Sequence, residues 1–236
     1  TTAWIKTAYA LKSRLLNLVS QTGQYNSANV LTALSSAYTS TADDAFITGF
    51  DVRNPWNQVA VNNQNLLLDG WLSEQFINAM NGITYGVADP RLSSMTDTTK
   101  YGDYRGTING KGRTGSGVNF EETYVNLNGY YSRSNSPLFI ITYEELKFIE
   151  AEAKFRANDK PGAYAAYLAA IAANMNKVGV TAADRDAYIN HASVSVGATN
   201  LTLDLIMKEK YKALYLSPET WNDARRYDYQ YKDFGL

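Results

Sequence analysis

Residues 81–137 hold nine of the sixteen glycines and break a helical rhythm that runs on both sides of them. A segment this long, rich in Gly, Asn, Ser, Thr and Tyr, is either a functional loop or disordered. Its tyrosines argue against disorder, because disordered chains are poor in aromatics. The chain therefore reads as one mainly α-helical domain over 1–236, with little strand and an irregular insert at 81–137.

The helical parts follow from apolar spacing. In 3–20, Trp4, Ala8, Leu11, Leu15 and Leu18 form one apolar stripe, the side that a helix normally turns to a core. Val30, Leu31, Leu34 and Tyr38 give 26–38 an apolar side. Ala45–Phe50 reads as extended, and Asn54-Pro55 as a turn. Leu68, Leu72, Phe76 and Met80 predict a helix over 65–80, which would put Trp71 on a helix and in the core. Thr142 and Glu145 have capping-box spacing ahead of the next helix. Asn158 to Gly162 break the chain before a helix over 163–178. The alanines allow two antiparallel helices to approach closely, and Ala163, Tyr167 and Ala170 have tetratricopeptide-type spacing. Residues 184–199 read as a linker with room for one short helix. Asn200 is placed to cap the following helix, and Ser217-Pro218 to start the last one.

The formal charge is −1, which gives no general electrostatic grip on nucleic acid or an anionic membrane. No apolar run is long enough to span a bilayer. Cysteine is absent, so disulfides, thiolate metal sites and a cysteine nucleophile are excluded. The chain opens inside a helix pattern without an initiating methionine, which reads as a processed or trimmed piece of a longer protein.

Catalytic motifs are weak. His191 is the one imidazole, too little for a zinc site or a triad. Gly110 to Gly115 match a dinucleotide fingerprint, but no strand leads in and no helix follows. Asp43-Asp44, Glu121-Glu122 and Glu144-Glu145 are adjacent carboxylates, which rarely face each other across a scissile bond. Glu144-Glu145 suits a helix start, and Asp43-Asp44 lacks calcium-loop spacing. No cofactor is called for, and an enzyme is the minority reading.

Eighteen tyrosines, four tryptophans and abundant asparagine suit sugar recognition, in which ring faces stack on aromatics and hydroxyls bond amides. Trp56, Tyr101, Tyr104, Tyr130 and Tyr131 are the candidates to stack, and Arg105, Asn109 and Asn128 to supply polar contacts. Trp221, Asp223, Arg225 and Arg226 read as a structural clasp in which Trp221 is buried and an arginine pairs with Asp223. Asp89 and Arg91 read as fixing the turn around Pro90.

Several segments, in order, resemble the SusD/RagB family of outer-membrane nutrient-binding lipoproteins of Bacteroidetes: WIKTAYALKSRL (4–15), ADDAF (42–46) with NPW (54–56), DPRL (89–92), ITYEELKFIEAEA (141–153), and EKYKALYL (209–216) with WNDARR (221–226). The family's usual Gly-Tyr-Pro after the arginine pair reads Tyr227-Asp228-Tyr229 here. Its N-terminal portion and lipidated cysteine are missing. The resemblance implies tetratricopeptide-like hairpins, a ligand face of irregular loops, and capture of an oligosaccharide or other nutrient for a SusC-like TonB-dependent transporter. It also implies a place on the extracellular face of the outer membrane, with membrane attachment only through a lipid anchor that this chain lacks. The rival to glycan capture is a helical protein-interaction scaffold with no sugar site of its own.

Overall fold

The computed structural model describes residues 2–64, 71–111 and 121–230. The chain divides into two compact units, 1–46 with 139–177 and 189–236, and 47–138 with 178–188.

The first unit is built round Tyr143–Arg156 (α6). Thr2–Leu18 (α1), Ser27–Leu34 (α2), Lys160–Lys177 (α7) and Leu203–Ala213 (α9) all pack on it. This explains why the apolar residues of α6 keep to no single face: Leu146, Phe148, Ile149, Ala151 and Ala153 are all buried, on different sides. One core cluster joins Ala10, Val30, Tyr38, Ile141, Leu146 and Ile149. The α6–α7 hairpin turns through Asn158, at φ 63°, and Asp159, whose Oδ1 accepts the Gly162 N–H at 3.0 Å. Ala163, Ala166 and Ala170 are buried in the hairpin beside Tyr167. Ala45–Ile47 (β1) and Leu138–Ile141 (β2) pair as a two-stranded sheet.

Glu219–Arg226 (α10) closes this unit. The clasp is real, but its tryptophan was misplaced by sequence reasoning: Trp221 is 59% exposed. Asp223 and Ala224 face inward instead, and Trp221 lies on the outer side of the short helix. Arg226 does the clasping, with Asp223 Oδ1 at 2.7 Å and Glu152 Oε2 at 2.9 Å.

Two other expectations in this unit fail for local reasons. Thr202, not Asn200, caps α9, its hydroxyl accepting the Leu205 N–H, while the Asn200 amide turns back to the Val196 carbonyl. Thr142 caps α6, but Glu145 does not reach back; Arg14 holds its carboxylate at 2.6 and 2.7 Å. Helix α7 also begins three residues early, because Pro161 is tolerated in a first helical turn.

The second unit carries Pro55–Gln64 (α3), Glu74–Met80 (α4), Leu92–Met95 (α5) and most of Ala182–Ile189 (α8). Among the described residues, the helix foreseen over 65–80 is α4 alone. Ser73 caps it, accepting the Phe76 N–H, and Trp71 and Ser73 lie in isolated bridges to Tyr124 and Thr107. Residues 65–70 of that expectation lie outside the described residues. Trp71 is therefore extended and half-buried against Tyr124, at 5.8 Å between rings. Asp89 fixes its turn as expected: its carboxylate accepts the Arg91 N–H at 3.1 Å and grips the Arg91 guanidinium at 2.6 and 2.9 Å, all of it buried. No described helix is long and apolar enough to cross a membrane.

Candidate functional site

Three extended segments of the second unit form a small frame. The Thr107 N–H donates to the Leu72 carbonyl at 2.8 Å, and the Glu74 N–H to the Thr107 carbonyl at 2.9 Å. The Thr123 N–H donates to the Arg105 carbonyl at 2.6 Å, and the Arg105 N–H to Thr123 Oγ1 at 3.0 Å. Gly106 is required at the centre, since a Cβ there would sit 2.3 Å from the Glu74 backbone. Main-chain bonds thus fix where Tyr104 and Arg105 emerge.

On this frame opens a groove of about 340 Å³, lined chiefly by Glu74, Asn78, Tyr104, Arg105, Ile108 and Glu121. That volume lies at the small end for ligand clefts, which run from about 300 to 1,000 Å³. Beside it the Arg105 guanidinium stacks over the Tyr101 ring at 4.7 Å, and the Tyr101 hydroxyl donates to Glu121 Oε1 at 3.2 Å. Lys100 pairs with Glu121 and holds its carboxyl below the usual range. Thr99 and then Arg105 do the same for Asp103. Burial, with the charge of Asp97, raises the Tyr104 phenol, so it stays a neutral hydroxyl. The groove therefore offers an aromatic ring, an amide, carboxylates and a guanidinium, with Ile83 and Ile108 as its apolar lining.

The structure brings Tyr101, Tyr104 and Arg105 together here, while Asn109 is exposed outside the lining. Trp56, Asn128, Tyr130 and Tyr131 belong to a second place, where α3 meets the loop 126–136. Asn54 and Asn57 tie them, the Asn57 amide donating to the Leu127 and Ser132 carbonyls at 3.2 and 2.7 Å. Trp56 is half-buried in the first turn of α3. Tyr131 is buried edge-on against Tyr130 at 5.1 Å, so Tyr130 presents the larger surface, with Arg133 at 5.6 Å from its ring centre. Asn128 is exposed and its N–H donates to Asn126.

Sequence reasoning missed Glu74 and Asn78. They stand one helical turn apart, a spacing that was legible, but their partner segment is distant in sequence. Of the rejected motifs, His191 accepts its own turn's Ser193 N–H at 3.2 Å. Asp43 and Asp44 are each paired to a lysine. The described residues contain no group of three or more potential metal ligands. Residues 112–115 of the glycine match lie outside the described residues.

A sequence profile described as "Starch-binding associating with outer membrane" matches residues 1–231. The chain belongs to the SusD-like family. No curated protein sequence matches it. Solved structures share the SusD-like fold: a SusD homologue from Bacteroides vulgatus superposes with a TM-score of 0.76 at 21% identity, covering 97% of this chain and 51% of its own. A homologue from Bacteroides ovatus gives 0.74 at 20%, covering 99% and 55%. A SusD/RagB family protein from Bacteroides thetaiotaomicron gives 0.66 at 22%, covering 100% and 55%. The SusD-like chain thus spans about half the length of these solved relatives.

Proposed function

We propose that this SusD-like chain is a non-catalytic binder of glycans at the outer membrane, and that it delivers them to a TonB-dependent transporter from the extracellular face. The groove at Tyr104 and Arg105 is the observation that carries the reading. A ring held on a hydrogen-bonded frame stacks on the C–H face of a sugar without losing much side-chain entropy. Asn78, Glu121 and Arg105 then bond hydroxyls. The family description, with its starch binding and membrane association, supports the same class of ligand. In this proposal residues 1–236 act as one module, and the insert 81–137 supplies most of the binding face, joined by the start of α4. Trp56 and Tyr130 provide a second aromatic place on the α3 side.

Calorimetric titration with a panel of soluble oligosaccharides tests it, with parallel product analysis. Heat without turnover, lost on Tyr104→Ala and reduced on Trp56→Ala, is the expected result. Product formation, or binding untouched by Tyr104→Ala, would sink it.

A further inference from the structure

Tyr101 stands beside the groove and not in its lining, yet it holds two side chains that line it. The Arg105 guanidinium lies over its ring at 4.7 Å, and its hydroxyl donates to Glu121 Oε1 at 3.2 Å. The Lys100 ammonium lies 4.9 Å from the same ring centre. A second holder grips Arg105 from the side. Asp103 Oδ2 accepts from Nε at 2.7 Å and lies 2.5 Å from Nη2, which leaves Nη1 as the open end of a side chain 53% exposed. Both holders belong to one closed turn. The Thr99 N–H donates to the Asp103 carbonyl at 2.8 Å and the Gly102 N–H to the Thr99 carbonyl at 3.0 Å, and the Thr99 hydroxyl donates to Asp103 Oδ1. Gly102, at φ 79°, lets the chain reverse there.

We propose that Tyr101 and Asp103 are positioning residues, and that Arg105 is the group they position: a fixed donor to the hydroxyls of a neutral sugar in the groove. The inference rests on the glycan-binding reading of that groove. It gives Tyr101 a role other than stacking. The ring spends its π surface on two cations, and it reaches the ligand only through Arg105 and Glu121. Arg105 is anchored at its other end as well, since its N–H donates to Thr123 Oγ1 and its carbonyl accepts the Thr123 N–H.

The clamp lowers the cost of binding. A free arginine loses rotamer freedom when it grips a ligand, and one already held on two sides loses little. Asp103 also decides the class of ligand. It occupies the Nε–Nη2 edge, which a carboxylate or phosphate on the ligand would otherwise grip bidentately, and it answers the positive charge. The N–H donors left on Nη1 suit hydroxyl oxygens. Among the described residues the lining carries the carboxylates of Glu74, Glu121 and Glu122 against Arg105 and Lys111, which further disfavours an anionic sugar.

Calorimetric titration with neutral oligosaccharides, maltoheptaose first, tests the clamp through a double-mutant cycle. Tyr101→Leu should weaken binding about two- to fivefold, the worth of an exposed cation–π contact. It should cost nothing further where Arg105→Ala is already present. Tyr101→Phe, which keeps the ring, should restore most of the lost affinity. A second readout needs no ligand. The Tyr101 ring should shift the Arg105 Nε–H proton resonance upfield, and that shift should vanish in Tyr101→Leu and return in Tyr101→Phe. A Tyr101→Leu loss that persists in full beside Arg105→Ala makes Tyr101 itself a sugar contact and overturns the proposal. So does heat that Tyr104→Ala removes and Tyr101→Leu leaves untouched, or an Nε–H resonance indifferent to Tyr101→Leu. An oligogalacturonate that binds more tightly than its neutral counterpart overturns it too. No heat from any neutral oligosaccharide removes the glycan-binding reading and this role of Arg105 with it, and the Nε–H shift then tells a failed groove from a failed clamp.

Discussion

Glu152 has no accessible surface, yet Arg226, Arg156, Asn17 and the Tyr227 hydroxyl all donate to it. Burial opposes its charge, but Arg226 and its other partners hold the carboxyl below the usual range. Glu152→Ala removes one of the two carboxylates that hold the buried Arg226 guanidinium, and the acceptor of the Asn17 amide, and should cost about 3 kcal/mol in urea unfolding. Trp221→Ala should cost no more than about 1 kcal/mol, since the ring is mostly in water beside Tyr229. The two variants separate an ionic clasp from a packed one. Acid should act through Glu152 as well. A depressed folded value means its stabilisation is full above the unfolded value of 4.5 and is lost as the pH falls below it. Asp44 has the opposite sign. With Tyr143 N–H and Lys177 it sits beside Glu144, and burial pushes it up to about 6 from 3.8. The folded state therefore keeps a proton that the unfolded chain releases, and the contribution declines as pH rises from 3.8 to 6. Asp44→Asn should remove that decline, which unfolding curves at pH 4 and pH 7 would show; an unchanged pH dependence refutes it.

At the level of elements, caps and close approaches decide. Thr202→Ala should cost about 1 kcal/mol in thermal unfolding, and Asn200→Ala clearly less, because only Thr202 satisfies an orphan N–H of α9. Gly106→Ala is a test of the groove frame. Its methyl would have to displace the Glu74 backbone, so ligand heat and stability should fall together, whereas Tyr104→Ala should remove the heat at unchanged melting temperature. In the α6–α7 hairpin, Ala170 has no room, and Ala170→Leu should cost about 1–3 kcal/mol by overpacking. The periodicity of α7 was legible because it buries residues at helical spacing, Ala163, Ala166, Tyr167, Ala170, Ile171, Asn174 and Met175, whereas α9 buries the unbroken run from Ile206 to Lys210. The helix over 65–80 was over-read, since Leu72 fits a helical stripe as well as a bridge; the main-chain bonds of Leu72 to Thr107 and Thr123 decide against it.

For the molecule as a whole, net charge bears on association. With a formal charge of −1 the molecule has no large net field for salt to screen, so binding of a neutral oligosaccharide should be unchanged between 0.05 and 0.5 M salt, roughly a threefold change in screening length, as titration at both values would check. The sequence by itself determined the mainly helical class, the hairpin alanines, the Asp89–Arg91 turn and the family likeness, because each is carried by residues close together in the chain. It also named the candidates of the proposed ligand face, the aromatics of the insert together with Trp56. Only the tertiary structure decided which of those aromatics share a groove, that Glu74 and Asn78 join them, and that Trp4 and Trp221 face outward. The reason is physical: apolar spacing says that a helix has two faces, but which one turns inward depends on what waits there. In α1 and α10 it is the buried carboxylates of Glu145 and Glu152, contributed by a helix more than seventy residues away, that draw the polar face in.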